Sequence, residues 1–277
     1  MNIITVNVGQ GSLAIVRHNK EAIIIDSRIP SCDDDTVAFV KEMFATSLKD
    51  HNVKGFILTG FDDDHCDVIG AAIVLQKYRP DWILYPRYYK NTEEAKSVFW
   101  LIDEQEKARR NSSIPLKRIS VTLNKLTSRK LPELSTNFEF ELFSPHIDDM
   151  SSSNNSSIVL KLTGLGWGGF SYLVTGDTEK DRWASIDRFF GTGLKAHVLA
   201  ASHHGSKNAV HIPSLLHIDP HTVLISAGVN NQYGHPDSAA VKVYKGVAKQ
   251  VFSTNMEGGV SLLTRPGTGE LTTTLIP

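Results

Sequence analysis

Asp62, Asp63 and Asp64 run directly into His65 in the stretch LTGFDDDHCD, Leu58 to Asp67, behind the apolar run GFIL. Carboxylates packed side by side repel, and burying them unpaired costs several kcal/mol, so the stretch reads either as a solvated acidic loop or as part of a cation site. Other Asp and His residues share its setting just behind an apolar run: Asp26 after AIII, Asp177 after FSYLVTG, His203 and His204 after HVLAAS, and His235 in NNQYGHP shortly after TVLIS. Strand ends in sheet proteins present loops that gather distant side chains into one pocket. Taken alone, Asp26 or Asp177 reads as a turn or cap residue, and isolated histidines such as His18, His51 and His146 read as solvated. Two imidazoles delivered together into a Gly-Ser turn have no evident packing role. Carboxylate and imidazole in combination suit a divalent transition metal, Zn, Fe or Mn, with a larger carboxylate share favouring Mn. Two such ions about 3.5–4 Å apart, bridged by a carboxylate, hold a hydroxide and polarise a phosphoryl or carbonyl oxygen.

The elements that must position these residues are legible as short β-branched runs bounded by Gly, Pro, Asn or Asp, at residues 3–8, 13–16, 22–26, 55–58, 82–85, 138–143, 157–162, 170–175, 197–201, 222–226, 250–254 and 259–263. Between them, DDTVAFVKEMFATSL places Val37, Phe39, Val40, Met43 and Phe44 on one helical face, with Asp33 to Asp35 offering an N-cap. Further helices are predicted in CDVIGAAIVLQKY, EEAKSVFWLIDEQEKARR, EKDRWASIDRFF and SAAVKVYKGV. Strands meander, alternate with helices, then repeat that order. No linker divides the chain, and the polar run MSSSNNSS (150–157) is too short for a hinge, so one domain over 1–277 is expected. Two packed sheets with helices outside accommodate this order.

The chain of 277 residues is 41% hydrophobic and 21% charged, with a formal charge of -1. A protein gripping nucleic acid through nonspecific phosphate contacts carries a basic surplus, so any polyanion must be held locally or through a metal. The two cysteines, Cys32 and Cys66, exclude a disulfide framework and fit a reducing compartment. The opening MNIITVNVGQG lacks the pattern of a signal peptide and no run approaches the ~18 apolar residues of a span, so the expectation is a cytoplasmic protein with no membrane partner.

The motifs together resemble the metallo-β-lactamase superfamily, in the branch typified by the soluble domain of the DNA-uptake channel protein of competent bacteria. VNVGQGSLAIV followed by AIIIDS resembles that branch's opening strand pair, and LTGFDDDHCDVIGA resembles the His-x-His-x-Asp-His motif with Asp for the second His. NNSSIVLKL, YLVTGDTEKD, SHHGSKNA and SAGVNNQYGHP follow in the family's order, so the match runs from residue 3 to about residue 240. The resemblance implies an α/β chain folded as a four-layer αββα sandwich, with two divalent ions, Zn or Mn, at the edge of the sheets. It implies that Asp64 and His65 ligate one ion, Asp177 bridges, one of His203 or His204 completes that site, and Asp62 serves the other ion. Asp26 would orient a ligand; Asn231, Tyr233, His235, Ser206 and Lys207 would meet substrate. Gly60 stands where the family's first His is expected, and Asn155 and Ser156 where its third motif carries His.

The implied activity is phosphodiester hydrolysis of a nucleotide or nucleic acid through a metal-bound hydroxide, with Asp64, His204 and His235 as the catalytic residues and His235 or a neighbouring His protonating the leaving oxygen. The alternatives are hydrolysis of a carboxylic ester, lactone or amide, and a noncatalytic binding module. Arg87, Lys90, Arg109, Arg110, Lys117 and Arg118 read either as solvated surface charges or as a phosphate-binding rim, and the second reading favours the phosphodiester.

Overall fold

β-Branched residues at two-residue spacing open the chain and become β1 (Asn2–Thr5), β2 (Ala14–His18) and β3 (Glu21–Ile25), an antiparallel meander in which Ile3 faces Val16 and Val16 faces Ile23. The computed structural model describes residues 1–30, 33–149, 152–256 and 258–276; Cys32 and the first two residues of the 150–157 run lie outside them. Next come α1 (Asp34–Leu48), whose cap Asp33 accepts from the Thr36 N–H, β4 (Asn52–Ile57), and α2 (Val68–Ala72), which widens into a π-helical turn at Ile73–Tyr78. β5 (Trp82–Pro86), α3 (Glu93–Arg109) and β6 (Lys117–Val121) complete a parallel run from β3 to β6. The second half supplies β7 (Arg129–Lys130), β8 (Phe138–Ser144), β9 (Val159–Gly164), β10 (Ser171–Val174), α4 (Lys180–Phe190), β11 (Val198–Ala200), α5 (Ile212–Ile218), β12 (Thr222–Ile225), α6 (Ser238–Val247) and β13 (Gln250–Ser253). A final hairpin, β14 (Ser261–Pro266) with β15 (Leu271–Ile276), returns to pair beside β1.

The sheet orders are β15-β14-β1-β2-β3-β4-β5-β6 and β13-β12-β11-β10-β9-β8-β7. β3 shows why they stack as layers. Its Ala22 and Ile24 pack with Val40, Phe44 and Val98 of the helices, whereas Ile23 and Ile25 pack with Phe140, Leu160 and Tyr172 of the other sheet. Both faces are covered, so the strand reads as a continuous apolar run. The second sheet's outer face, with Leu173, Leu199 and Val223, buries Trp183, Leu215 and Tyr244 of α4 to α6. Three apolar cores between four layers make the expected αββα sandwich.

Strand direction concentrates the chemistry. β3 and β4 are parallel, as are β10, β11 and β12, and the sheets are joined at the strands' carboxyl ends by an Ile158 N–H bond of 2.8 Å to the Thr59 carbonyl. Among the described residues, no helix is long and apolar enough to cross a membrane.

Several elements differ from the sequence expectation. β6, β7, β15 and α5 carry no recognisable period: KRISV and LTTTLI are largely polar edge strands, and α5 is only seven residues long. His18 and His146, expected to be solvated, are buried. His18 Nε2 lies 2.6 Å from the Leu165 carbonyl, while His146 stacks on Phe190 and meets Arg182, which pairs with Asp149 at 2.6 Å.

Candidate metal centre

Asp26 leaves β3 in the left-handed region, φ 57°, a conformation that Asp tolerates better than most residues. The turn aims its carboxylate back along the sheet edge. There it accepts from the Thr59 N–H at 2.7 Å and the Thr59 hydroxyl at 2.8 Å, and faces His65 Nδ1 at 2.9 Å. The aspartate-rich loop after β4 is closed by the His65 and Cys66 N–H groups on the Asp62 carbonyl, and Asp67 then caps α2 by accepting from the Gly70 N–H at 2.7 Å. Gly70 admits no side chain: a Cβ there would lie 1.7 Å from the Ser27 carbonyl oxygen.

Opposite, the turn after β10 contains Gly176, φ 50°, whose Cβ position would come within 2.8 Å of the Ser157 side chain. Only glycine allows that approach, which lets the Asp177 N–H reach Ser157 Oγ at 2.9 Å and sets the Asp177 carboxylate 2.8 Å from His65 Nε2. After β11, His203 and His204 both take left-handed backbone, φ 49° and 53°. His204 thereby turns inward, with Nδ1 donating to the Ser226 carbonyl at 2.9 Å and Nε2 standing 3.2 Å from Asp64 and 3.8 Å from Asp177.

One donor atom from each of Asp64, His65, Asp177 and His204 lies within 4.8 Å of all the others. The hydrogen bonds fix the tautomers. Each Nδ1–H is taken by Asp26 or by Ser226, leaving both Nε2 atoms to face the cluster. His204 Nε2 is buried and has no hydrogen-bond partner among the described residues. Two imidazole nitrogens and two carboxylates therefore fit a divalent ion of the Zn or Mn kind.

Electrostatics lead to the same place. Burial opposes charge on His65, but the Asp177 and Asp26 carboxylates outweigh it and hold the imidazole well above its ordinary pKa. Burial likewise opposes ionisation of Asp177, yet His65 and His204 hold it well below the usual carboxylate range. His204 is raised and Asp64 lowered in the same manner, burial being overcome by their mutual contact and by the neighbouring charges. The cluster thus holds its protons on nitrogen where a cation would displace them.

The cluster opens into a pocket of about 640 Å³. Asp62 lies on its wall, where it pairs with Lys90 and sits 3.4 Å from Ser153 Oγ; it is outside the four-residue cluster. His203 is also outside, with Nε2 4.0 Å from Asp177 and Nδ1 3.6 Å from Glu179, its ring facing His235 at 5.6 Å. His235 is lowered by burial and by the charges of His203 and His204, and exposed Tyr233 stacks on it at 6.1 Å. Asn231 lines the pocket, but its amide is engaged within its own loop, donating to Gly228 and His235 carbonyls and accepting from the Tyr233 and His235 N–H groups. Ser206 is buried beside the Asn208 N–H, and Lys207 faces a neighbouring groove of about 420 Å³ with Lys180, so neither lines the pocket.

Of the expected basic rim, Lys90 alone lines the pocket, and Arg87 and Arg110 are exposed outside its lining. Arg109 is buried on the carbonyls of Pro80 and Ile114, Arg118 pairs with Asp103 and Glu106, and Lys117 with Glu133. Sequence reasoning missed Arg28, which lines the pocket, and Thr59, which holds Asp26; nothing in their residue types marks them.

The chain has the metallo-β-lactamase αββα fold, and four clustered Asp and His residues at its sheet edge could hold a metal ion. Its sequence is similar to ComE operon protein 3 of Bacillus subtilis, 28% identical over 222 residues, which cover 78% of this chain and 25% of that protein. The chain therefore spans about a quarter of the length of that relative. Among solved structures, a metallo hydrolase from the archaeon Ignicoccus hospitalis matches with a TM-score of 0.54 at 13% identity, covering 96% of this chain and 100% of that one. A variant of CmlA beta-hydroxylase matches with 0.52 at 11% identity, over 95% and 54% of the two chains. No family model matches.

Proposed function

We propose that the protein is a metal-dependent phosphodiesterase acting on a nucleotide or a nucleic-acid strand. The observation that carries this reading is the convergence of Asp64, His65, Asp177 and His204 on the floor of an open pocket with cationic Arg28 and Lys90 and exposed Tyr233 in its wall. A divalent ion held by those four residues supplies Lewis acidity and makes water a nucleophile at neutral pH.

The chain's own residues supply the rest. Asp26 and Ser226 hold the two imidazoles in the ligating tautomer, Arg28 offers positive charge to phosphate oxygens, Lys90 offers N–H donors while paired with Asp62, and Tyr233 presents a ring face on which a base can stack. His235, whose pKa is lowered by burial and by the neighbouring His203 and His204, lines the pocket as a hydrogen-bonding or proton-transferring group toward substrate. A lining of charged and amide side chains suits a phosphodiester better than an apolar ester or lactone.

The test is turnover of bis-p-nitrophenyl phosphate and a single-stranded oligonucleotide by Mn- or Zn-loaded protein, beside p-nitrophenyl acetate and a lactone. Phosphodiester hydrolysis lost on chelation supports the reading, and Tyr233→Ala should then raise KM for the oligonucleotide by about 10-fold or more. Turnover confined to the carboxylic substrates, or none at all with metal bound, overturns it.

A further inference from the structure

We propose that this centre is built for a single divalent ion, with the Lys90 ammonium standing against Asp62 in the place of a second cation. The inference rests on the metal-centre reading and refines it.

Asp64, His65, Asp177 and His204 form one complete donor set, and among the described residues no other trio of His, Cys, Asp or Glu donors comes as close together. The residues for another ion do not fit. Gly60 offers no imidazole, although a Cβ there would meet only Asp62 Oδ2, at 3.9 Å, so the space beside Asp62 is open. Asn155 accepts from the Glu179 N–H at 3.2 Å and Asn154 donates to the Glu179 carboxylate at 3.1 Å, so the turn before β9 has its amides engaged elsewhere. Asp62 itself is nearly buried and already neutralised by Lys90.

Aromatic packing holds that ion pair in register. Phe61 precedes Asp62 and Tyr89 precedes Lys90; their rings lie 6.2 Å apart, and both pack on Phe99 of α3, at 5.1 and 4.5 Å. Lys90 is therefore delivered to Asp62 by a built contact between two loops. An ammonium is a compact charge with three donors, able to hold a non-bridging phosphoryl oxygen as a second cation would. Lys90 lines the same pocket as Asp64, Asp177 and His204, so a phosphate group bound there could meet both the ammonium and the ion those residues would hold.

Metal stoichiometry decides the matter. Wild type, Lys90→Met and the double variant Gly60→His/Lys90→Met are saturated with Mn, freed of excess and analysed for metal, with electron paramagnetic resonance reporting coupling between ions. The expected result is one uncoupled Mn per chain in wild type and a second, coupled Mn in the double variant. Two coupled ions in wild type overturn the proposal while leaving the hydrolase reading intact. A wild type with one ion and a double variant that gains none overturns the role of Lys90 as a stand-in, since the position would then not be a cation site. A folded wild type that binds no metal overturns the metal-centre reading itself.

Discussion

Replacing Asp26 with Asn isolates the outer support of the metal centre from its ligands. The backbone should be undisturbed, because Asn accepts φ near 57° as readily as Asp does. The hydrogen bonding is not. Asp26 is 1% exposed, and its two oxygens serve the Thr59 N–H at 2.7 Å, the Thr59 hydroxyl at 2.8 Å and His65 Nδ1 at 2.9 Å. An Asn side chain keeps one oxygen for the Thr59 N–H and turns an NH₂ toward His65. Two donors then confront each other unless the imidazole moves its proton to Nε2, the atom that faces Asp177. Either outcome weakens the ligand, and losses of such supporting groups cost about 10–100-fold in metal affinity, or ~1.4–2.7 kcal/mol. Competition titration of Zn against a chromophoric chelator measures that loss directly. The melting temperature in metal should fall toward the chelated value, since binding to the folded state supplies that part of the stability. An Asp26→Asn protein that binds metal as tightly as wild type would refute the assigned role.

Asp177→Ala removes the carboxylate between His65 and His204 and should abolish tight metal binding; unchanged metal content by elemental analysis sinks the assignment. Because His65 is raised well above 6.5, metal binding should expel protons at neutral pH and tighten as pH rises to the raised value; calorimetry in buffers of different ionisation enthalpy that finds no proton release contradicts this. The chelated protein should behave oppositely. The contribution of His65 to stability is complete below about 6.5 and lost as pH climbs through the raised folded value, whereas that of Asp177 and Asp64 is complete above about 3.8 and lost on acidification, so its melting temperature should peak between those limits. Gly70→Ala would drive a methyl into the Ser27 carbonyl, so it should destabilise the fold by about 1–3 kcal/mol in denaturant titration; a neutral effect would mean that α2 does not pack there as described.

The parts of this fold that were legible in sequence are those in which local pattern and tertiary role agree. Residues 34–48 alternate at helical spacing behind an aspartate cap, and Asp33 does cap α1. Asp26, His65, Asp177 and the pair His203–His204 could be picked out because each follows an apolar run, and strand direction brings such ends to one edge; which of the two histidines turns inward could not. What was illegible depends on pairs remote in sequence. Lys90 meets Asp62 only because β4 and β5 are parallel neighbours whose following loops pack through Phe61 and Tyr89. Arg109 and Arg118 are indistinguishable from Lys90 by residue type, and only the position of α3 turns them into structural contacts. Likewise, SHHGSKN does not disclose that His203 and His204 both take left-handed backbone, with His204 entering the four-residue cluster and His203 lining the pocket beside it.

Those left-handed residues bear on whether the centre is a working site or a relic. Side chains other than Gly, Asn and Asp are strained in that region, at roughly 1–3 kcal/mol apiece, unless their surroundings over-determine them. His203 and His204 adopt it consecutively, and the surroundings do over-determine them: the His203 N–H is held by the Gly176 carbonyl at 3.0 Å and His204 Nδ1 by Ser226 at 2.9 Å. Ser226 is in turn fixed through its hydroxyl on the Gly11 carbonyl at 2.7 Å, which ties the β1–β2 loop of the first sheet to the loop after β12 of the second. The product of all this bracing is a set of two carboxylates and two imidazoles within 4.8 Å of one another, with His204 Nε2 3.2 Å from Asp64 and 3.8 Å from Asp177. Packing alone would be better served by Gly or Asn at these positions and by apolar side chains beneath them. The four groups already stabilise one another as imidazole–carboxylate pairs, and a cation that displaced their protons would take over that role, so the bracing serves a donor set rather than packing.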